Sequence, residues 1–386
     1  MANETRRLLK PMVPRDPSEQ HRAASSLELF FDLVFVVAVS FSAVQLHHMV
    51  VEGHLASGVL GYMMVFFAIW WSWVNFSWFA TSFDNDDWLY RVLTLIQMAG
   101  VLVLAAGVAE AIEHRDFAVI TLGYVIMRLA MVSQWIRAGL SNPGIRATAQ
   151  RYALGITLVQ LAWIARLFLP EQAGFIAFFV LVIAEISVPI WAESRLSTPW
   201  NPGHITERYG LFTLILLGES ILASANAVVK GLDIAENVND LLVISAAALV
   251  TAAGMWWTYF SREHHRHIGS LRSSLAYGYF HYFIFAAAGA FSVGVEVAID
   301  SAIGESEISG VTGAAILSLP VSLFLLGIWA LTLRYQLARI QSFCFFAGII
   351  IVLAGTVLPG SGPVLAVAAG VVLCAAATGR REPLPA

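Results

Sequence analysis

Twelve apolar runs divide this chain almost from end to end, at residues 27–49, 57–80, 88–112, 117–139, 150–169, 172–192, 207–230, 238–261, 270–299, 309–333, 339–358 and 362–378. About 20 apolar residues cross a hydrocarbon core as a helix, so nearly all of these runs are long enough to span. Across the chain 58% of residues are hydrophobic and 12% are charged, and the mean hydropathy is +0.74. A soluble domain carries about 25% charged residues. The expected fold class is therefore all-α: a polytopic membrane protein of about twelve transmembrane helices with the lipid bilayer as its solvent.

The loops fix an expected orientation. Of the 22 Lys and Arg residues, eighteen fall on the side of the N-terminal tail and the even-numbered loops, three (Arg115, Arg166 and Lys230) on the other, and Arg128 lies deep in the fourth run. Basic loops stay cytoplasmic, so both termini are expected in the cytoplasm of a bacterial inner membrane. The first apolar run follows about 26 polar residues and is too long for a cleavable signal. A net charge of −4 gives no bulk basic signal for nucleic acid, and the two cysteines, Cys344 and Cys374, make no framework or metal motif.

A repeat is also expected. Trp70-Trp71 in the second run and Trp256-Trp257 in the eighth are 186 residues apart, and Glu110 and Glu296 share that offset. Six runs per half give two parallel six-helix repeats, a layout common in transporters. The expected divisions are a basic tail at 1–26, repeats at 27–200 and 201–380, and a short tail at 381–386.

Each half opens on a motif, "LELFFDLVFVVAV" from Leu27 and "ERYGLFTLILLGES" from Glu207. With the twelve-run layout these resemble the bacterial low-temperature-requirement A (LtrA) family, from Ser25 to the last runs. The matching positions are Glu28, Phe30, Phe31, Asp32, Phe35, Glu207, Arg208, Gly210, Gly218 and Glu219. The resemblance implies a membrane location and a fold class. It brings a growth phenotype in the cold but no biochemical activity.

The polar groups within the runs are the candidate site. Glu28 and Asp32 lie one helical turn apart and share a face. Ser25-x-x-Glu28 also reads as a capping box, with Glu28 at the positive end of the helix. Glu207 likewise sits at an expected helix start, beside Arg208 or a basic loop. Asp32, a turn deeper, faces either interfacial water, an arginine or a functional interior. Glu219 is expected about 18 Å along its helix, near the bilayer midplane, where an acid costs at least ~2.5–3.5 kcal/mol without a partner or water. Gly218 and Ser220 beside it would let a neighbouring backbone or water approach. Arg128 is its obvious partner. Glu185 and His281 are further candidates for the same interior, His281 as a proton relay or as a structural hydrogen-bonding group.

Other features read as structural. The aromatic run "WWSWVNFSWF" suits lipid and interface, or less readily a cage for an amine. The histidines of "SREHHRH" and His47-His48 lack metal-ligand spacing. Ala286, Ala290 and Gly294 form a small-residue packing face. No nucleotide, hydrolase or cofactor motif appears. The best functional reading is proton-coupled secondary transport of a small solute along a path through Asp32, Glu219, Arg128, Glu185 and His281. The same acids would also suit an intramembrane enzyme acting on a lipid-like substrate, and a scaffold remains open. The sequence names neither the substrate nor the oligomeric state.

Overall fold

A computed structural model describes residues 10–19, 22–232, 238–262, 268–306 and 308–379. Among these residues all regular structure is helical. The α-helices are α1 (Ser26–Val51), α2 (Leu55–Ser82), α3 (Trp88–Ala106), α4 (Val108–Glu113), α5 (Ala118–Ser141), α6 (Arg146–Arg166), α7 (Glu171–Ala192), α8 (Pro202–Leu232), α9 (Val238–Phe260), α10 (Leu271–Ala302), α11 (Gly310–Leu331), α12 (Arg339–Ala354) and α13 (Gly362–Ala377). All twelve apolar runs fold as helix, and ten helices are long and apolar enough to cross a membrane. The other two runs are α6, which carries Arg151, Gln160 and Arg166, and α13, which has only 16 residues.

Capping chemistry sets where the motif helices begin. Ser25 and Glu28 form the expected box: the Ser25 N–H donates to Glu28 Oε2 at 2.8 Å, and the Glu28 N–H donates to Ser25 Oγ at 3.3 Å. α8 begins five residues before the expected 207. Asn201 Oδ1 accepts the His204 N–H at 3.0 Å, and Pro202 occupies the first helical position, where its missing N–H costs nothing. Glu219 therefore lies at the middle of a 31-residue helix. α3 starts on Asp87, whose Oδ1 accepts the Tyr90 N–H at 2.9 Å.

The chain forms two compact units, one built from residues up to Ala38 with Phe67–Arg208, the other from Val39–Phe66 with residues from Tyr209 onward. The boundary cuts α1, α2 and α8. In the first unit α3 packs on α5 and α5 on α6. A Cβ on Gly123 would stand 2.5 Å from the Gly100 carbonyl oxygen, so only glycine lets those backbones touch. The described part of the N-terminal segment is tied to this unit: Arg22 donates to the Thr81 and Ala80 carbonyls at the end of α2, and Arg15 pairs with Asp84 at 3.2 Å. In the second unit α10 packs on α11, where Gly294 lies against the Leu317 backbone, and α13 packs on α12 and α9. Of the expected small-residue face, Gly294 lies in that packing, whereas the Ala286 carbonyl accepts the Tyr62 hydroxyl at 2.8 Å.

Two expectations about side-chain environment need correction. The aromatic run in α2 does not face lipid: Trp70, Trp71, Trp73, Phe76 and Phe79 are each at most 2% exposed. Aromatic composition places such rings near a membrane but does not choose the helix face. Gly218 does not receive a neighbouring backbone, because a Cβ there would meet nothing within 4 Å, but Ser220 beside it does, its hydroxyl donating to the Ala288 carbonyl at 3.1 Å. Trp256 and Trp257, 186 residues after Trp70 and Trp71, are by contrast 44% and 55% exposed.

Candidate functional site

The two motif helices bring four ionisable side chains together in the first unit. α1 supplies Glu28 and Asp32, one turn apart, and the first turns of α8 supply His204 and Arg208 at the same spacing. Starting α8 at Pro202 is what puts His204 on the helix. None of the four is more than 1% exposed. Arg208 lies 2.6 Å from Asp32 Oδ1 and 3.9 Å from Glu28 Oε1, and His204 Nε2 lies 3.2 Å from Glu28 Oε1.

Neighbours fix Asp32 more firmly than Glu28. The Trp73 indole N–H donates to Asp32 Oδ1 at 2.7 Å, and Arg208 also donates to Ser77 Oγ at 3.2 Å. The Arg208 guanidinium lies 5.9 Å from the ring centres of Trp73 and Phe76, and Phe76 stacks on the motif residue Phe31 at 3.8 Å. Aromatic walls shield this cation without neutralising it. Asp32 Oδ2, His204 Nδ1 and Arg208 Nε have no hydrogen-bond partner among the described residues, and Glu28 Oε1 meets only His204 and the more distant Arg208. Buried groups in that state are costly in a purely structural cluster. Two carboxylates faced by one permanent cation can hold a proton between them, or receive a polar ligand.

Arg208 thus belongs to Asp32 and not to Glu207. The Glu207 carboxylate instead accepts the Ala24 N–H at 3.3 Å, just before α1. Gly210 lies one turn beyond Thr206, and a Cβ there would approach Phe260 to 3.0 Å.

Arg128 does not partner Glu219. It donates to Glu185 Oε2 at 2.8 Å, and also to the Tyr124 hydroxyl. Glu185 is filled by two further donors, the Trp71 indole at 2.8 Å on Oε2 and the Trp163 indole at 3.1 Å on Oε1. Both charges are buried, with side chains 4% and 2% exposed. A carboxylate held by three donors, one of them a dedicated arginine, is a buried structural ion pair. Position along a span gave the depth of Arg128, but not the direction its side chain takes.

Glu219 belongs to the second unit, where it is buried beside the Ser40 hydroxyl and close enough to Glu296 to interact with it. From Glu296 the ionisable groups continue to His47, whose Nδ1 is 3.7 Å away and whose Nε2 lies 2.7 Å from Asp300 Oδ2. His281, in the same unit, is fixed by the Tyr277 carbonyl at 2.8 Å on Nδ1 and by the Tyr259 hydroxyl at 3.1 Å on Nε2. The carbonyl can only accept, so Nδ1 carries a proton. No group of three or more potential metal ligands occurs among the described residues. The histidines of "SREHHRH" fall at 264, 265 and 267, outside those residues.

His204 is the member of the cluster that the sequence reading passed over, because Pro202-Gly203 before it resembles a loop. Proline at a first helical position followed by His and Arg four residues apart was the available signal. Trp73 was likewise hidden in a run read as lipid-facing.

Comparison with known proteins agrees with these motif helices. One relative is an uncharacterized protein of Rhizobium meliloti (strain 1021), RA0937, 27% identical over 256 residues that make up 64% of this chain and 60% of that protein. The chain thus matches less than two thirds of that relative's length. The family model for bacterial low temperature requirement A protein matches residues 23–378, from just before the Ser25 cap to the end of α13. With ten helices apolar enough to cross a bilayer, the chain belongs to the LtrA family of bacterial membrane proteins.

Proposed function

We propose that this protein is a proton-coupled secondary transporter of a small solute in the bacterial inner membrane, and that Asp32 carries the proton. The observation behind this reading is the buried cluster in which Glu28 and Asp32 face the single permanent cation Arg208. With His204 neutral, two carboxylates against one guanidinium leave one negative charge, which a proton on Asp32 cancels. Protonation weakens the hold of Asp32 on Arg208, whose Nη1 already lies 3.9 Å from Glu28. The guanidinium and His204 then both serve Glu28, and the freed Asp32 hydroxyl becomes a donor. A group that alternates between two acids in this way is what coupling needs.

Glu219, with Glu296, Asp300 and His47, is the second set of proton-exchanging groups. The two six-helix repeats, 27–200 and 201–380, supply the moving halves. In support of that reading, the third and fourth runs of each half pack as α3 on α5 and α10 on α11, and both pairs cross closely through glycine, at Gly100 and Gly123 and at Gly294. Arg128 and Glu185 hold the first repeat together, and His281 holds α10 against α9.

Purified wild type, Asp32→Asn, Glu28→Gln and Glu219→Gln are reconstituted in liposomes. Internal pH is then followed under an imposed proton gradient with candidate solutes outside. The reading predicts a solute-dependent proton flux that Asp32→Asn and Glu219→Gln abolish. Glu28→Gln keeps its capping box, because glutamine also serves there, and loses less than about 1 kcal/mol of stability while its flux falls. Equal flux in wild type and Asp32→Asn removes the mechanism.

A further inference from the structure

Two arginines meet at one end of α10 and α11. Arg272 is the second residue of α10, and Arg334 lies in the short 3-10 turn Leu333–Tyr335 that follows α11. The two helices pack on each other, and both arginines line one open cleft of about 510 Å³. Ser270 and Ser273 fix the first turn of α10: the Ser270 N–H donates to Ser273 Oγ at 3.0 Å, and the Ser273 N–H donates to Ser270 Oγ at 3.2 Å. Arg334 is held by Tyr335, whose ring centre lies 4.5 Å from the guanidinium carbon and whose hydroxyl accepts from it. Ring and hydroxyl orient that cation but do not neutralise it.

Much of the cleft surface is polar, and its described lining includes both arginines and both serines but no aspartate or glutamate. Two like charges on one cavity repel, and an anion between them reverses that cost. Each guanidinium offers a planar fork of donors that suits a phosphate. The remaining walls include Ala276 on α10 with Ala330 and Leu331 on α11. Residues four and seven apart share a helix face. Seven residues on from Ala276, α10 exposes Phe283; four and seven back from Ala330, α11 exposes Leu326 and Leu323. The polar cleft thus passes into an apolar outer surface. Basic groups at the ends of two membrane-crossing helices, with apolar faces running on from them, match the layering of a phospholipid.

We propose that this cleft binds an anionic phospholipid, its phosphate between Arg272 and Arg334 and an acyl chain along the faces that run from Ala276 to Phe283 and from Ala330 to Leu323. A free phosphate would satisfy the arginines and leave those apolar faces unused. A phosphatidylcholine headgroup would carry its own cation into a cleft that already holds two. This site is separate from the Asp32 cluster and does not depend on the transport reading.

The test is native mass spectrometry of the full chain released from detergent, titrated with phosphatidylglycerol or phosphatidylcholine of identical acyl chains. Wild type is expected to retain phosphatidylglycerol about tenfold more tightly, a difference of the size that charge-assisted hydrogen bonds supply. Arg272→Gln with Arg334→Gln should bring the two lipids together, whereas Arg339→Gln, an exposed arginine outside the cleft, should keep the preference. Ala276→Leu, which narrows the cleft and leaves both arginines in place, should weaken retention of phosphatidylglycerol, and it decides the matter if the double variant does not fold. Inorganic phosphate that competes as effectively as added phosphatidylglycerol would assign a free-anion site and overturn the proposal. So would a wild type without headgroup preference, a double variant that keeps it, an equal loss in Arg339→Gln, or unchanged retention in Ala276→Leu.

Discussion

Replacing Glu185 by Gln tests whether Arg128 and Glu185 are structural. Glu185 accepts from Arg128, Trp71 and Trp163, at 2.8, 2.8 and 3.1 Å. A glutamine offers one oxygen, and its amide nitrogen would face a donor. At least one of the three donors is then left without an acceptor, which costs about 1–3 kcal/mol. The buried Arg128 also loses its counter-charge, and breaking a buried pair from one side costs about 3–5 kcal/mol. These penalties overlap, so the expected loss is about 3–5 kcal/mol in total. Replacing both residues, Arg128→Met with Glu185→Met, removes the uncompensated charge and should cost less than Glu185→Gln alone. Thermal or denaturant unfolding in a fixed detergent, followed by tryptophan fluorescence, gives the three values, and proton flux in liposomes is measured on the same samples. A double variant that folds and transports places this pair outside the proton path. Glu185→Gln with wild-type stability would refute the reasoning, as would a folded double variant without flux.

Two further outcomes are expected. Burial opposes the charge on Asp87, yet hydrogen bonds from Arg137, the Tyr90 N–H and the Lys10 N–H hold its carboxyl below the usual aspartate range; the stabilisation is thus present above the unfolded value of about 3.9 and lost as pH falls through the lower folded value, so Asp87→Ala should cost about 1 kcal/mol at neutral pH and progressively less in acid, and an unfolding difference that stays constant from neutral pH into strong acid would contradict it. The excess of basic residues in alternate loops predicts both termini in the cytoplasm, so a reporter joined after Gly379 should be active only on the cytoplasmic side, and periplasmic activity would reverse the expected orientation.

The helices were legible because apolar length is a property of the chain alone, and each expected run is helical. The Ser25–Glu28 box was legible for the same reason, since capping is local. Partners were not. Asp32 could be placed inside by the cost of an acid in hydrocarbon, but its arginine lies 176 residues later, and no spacing rule joins them. Arg128 was matched to Glu219 on depth alone, whereas the direction of its side chain selects Glu185. His204 was lost to an apparent loop whose proline and asparagine in fact start a helix. The aromatic run of α2 was assigned to lipid because composition does not report a face; Trp71 and Trp73 instead donate to Glu185 and Asp32.

The central claim is that Asp32 gains and loses a proton inside the Glu28, His204 and Arg208 cluster. Infrared difference spectroscopy on the reconstituted protein, scanned across pH, reads that proton through the carbonyl stretch of a protonated carboxyl group. The account predicts a band that fades as pH rises in wild type and is missing in Asp32→Asn. An identical titrating band in Asp32→Asn, or no carboxyl titration in wild type at all, would contradict it.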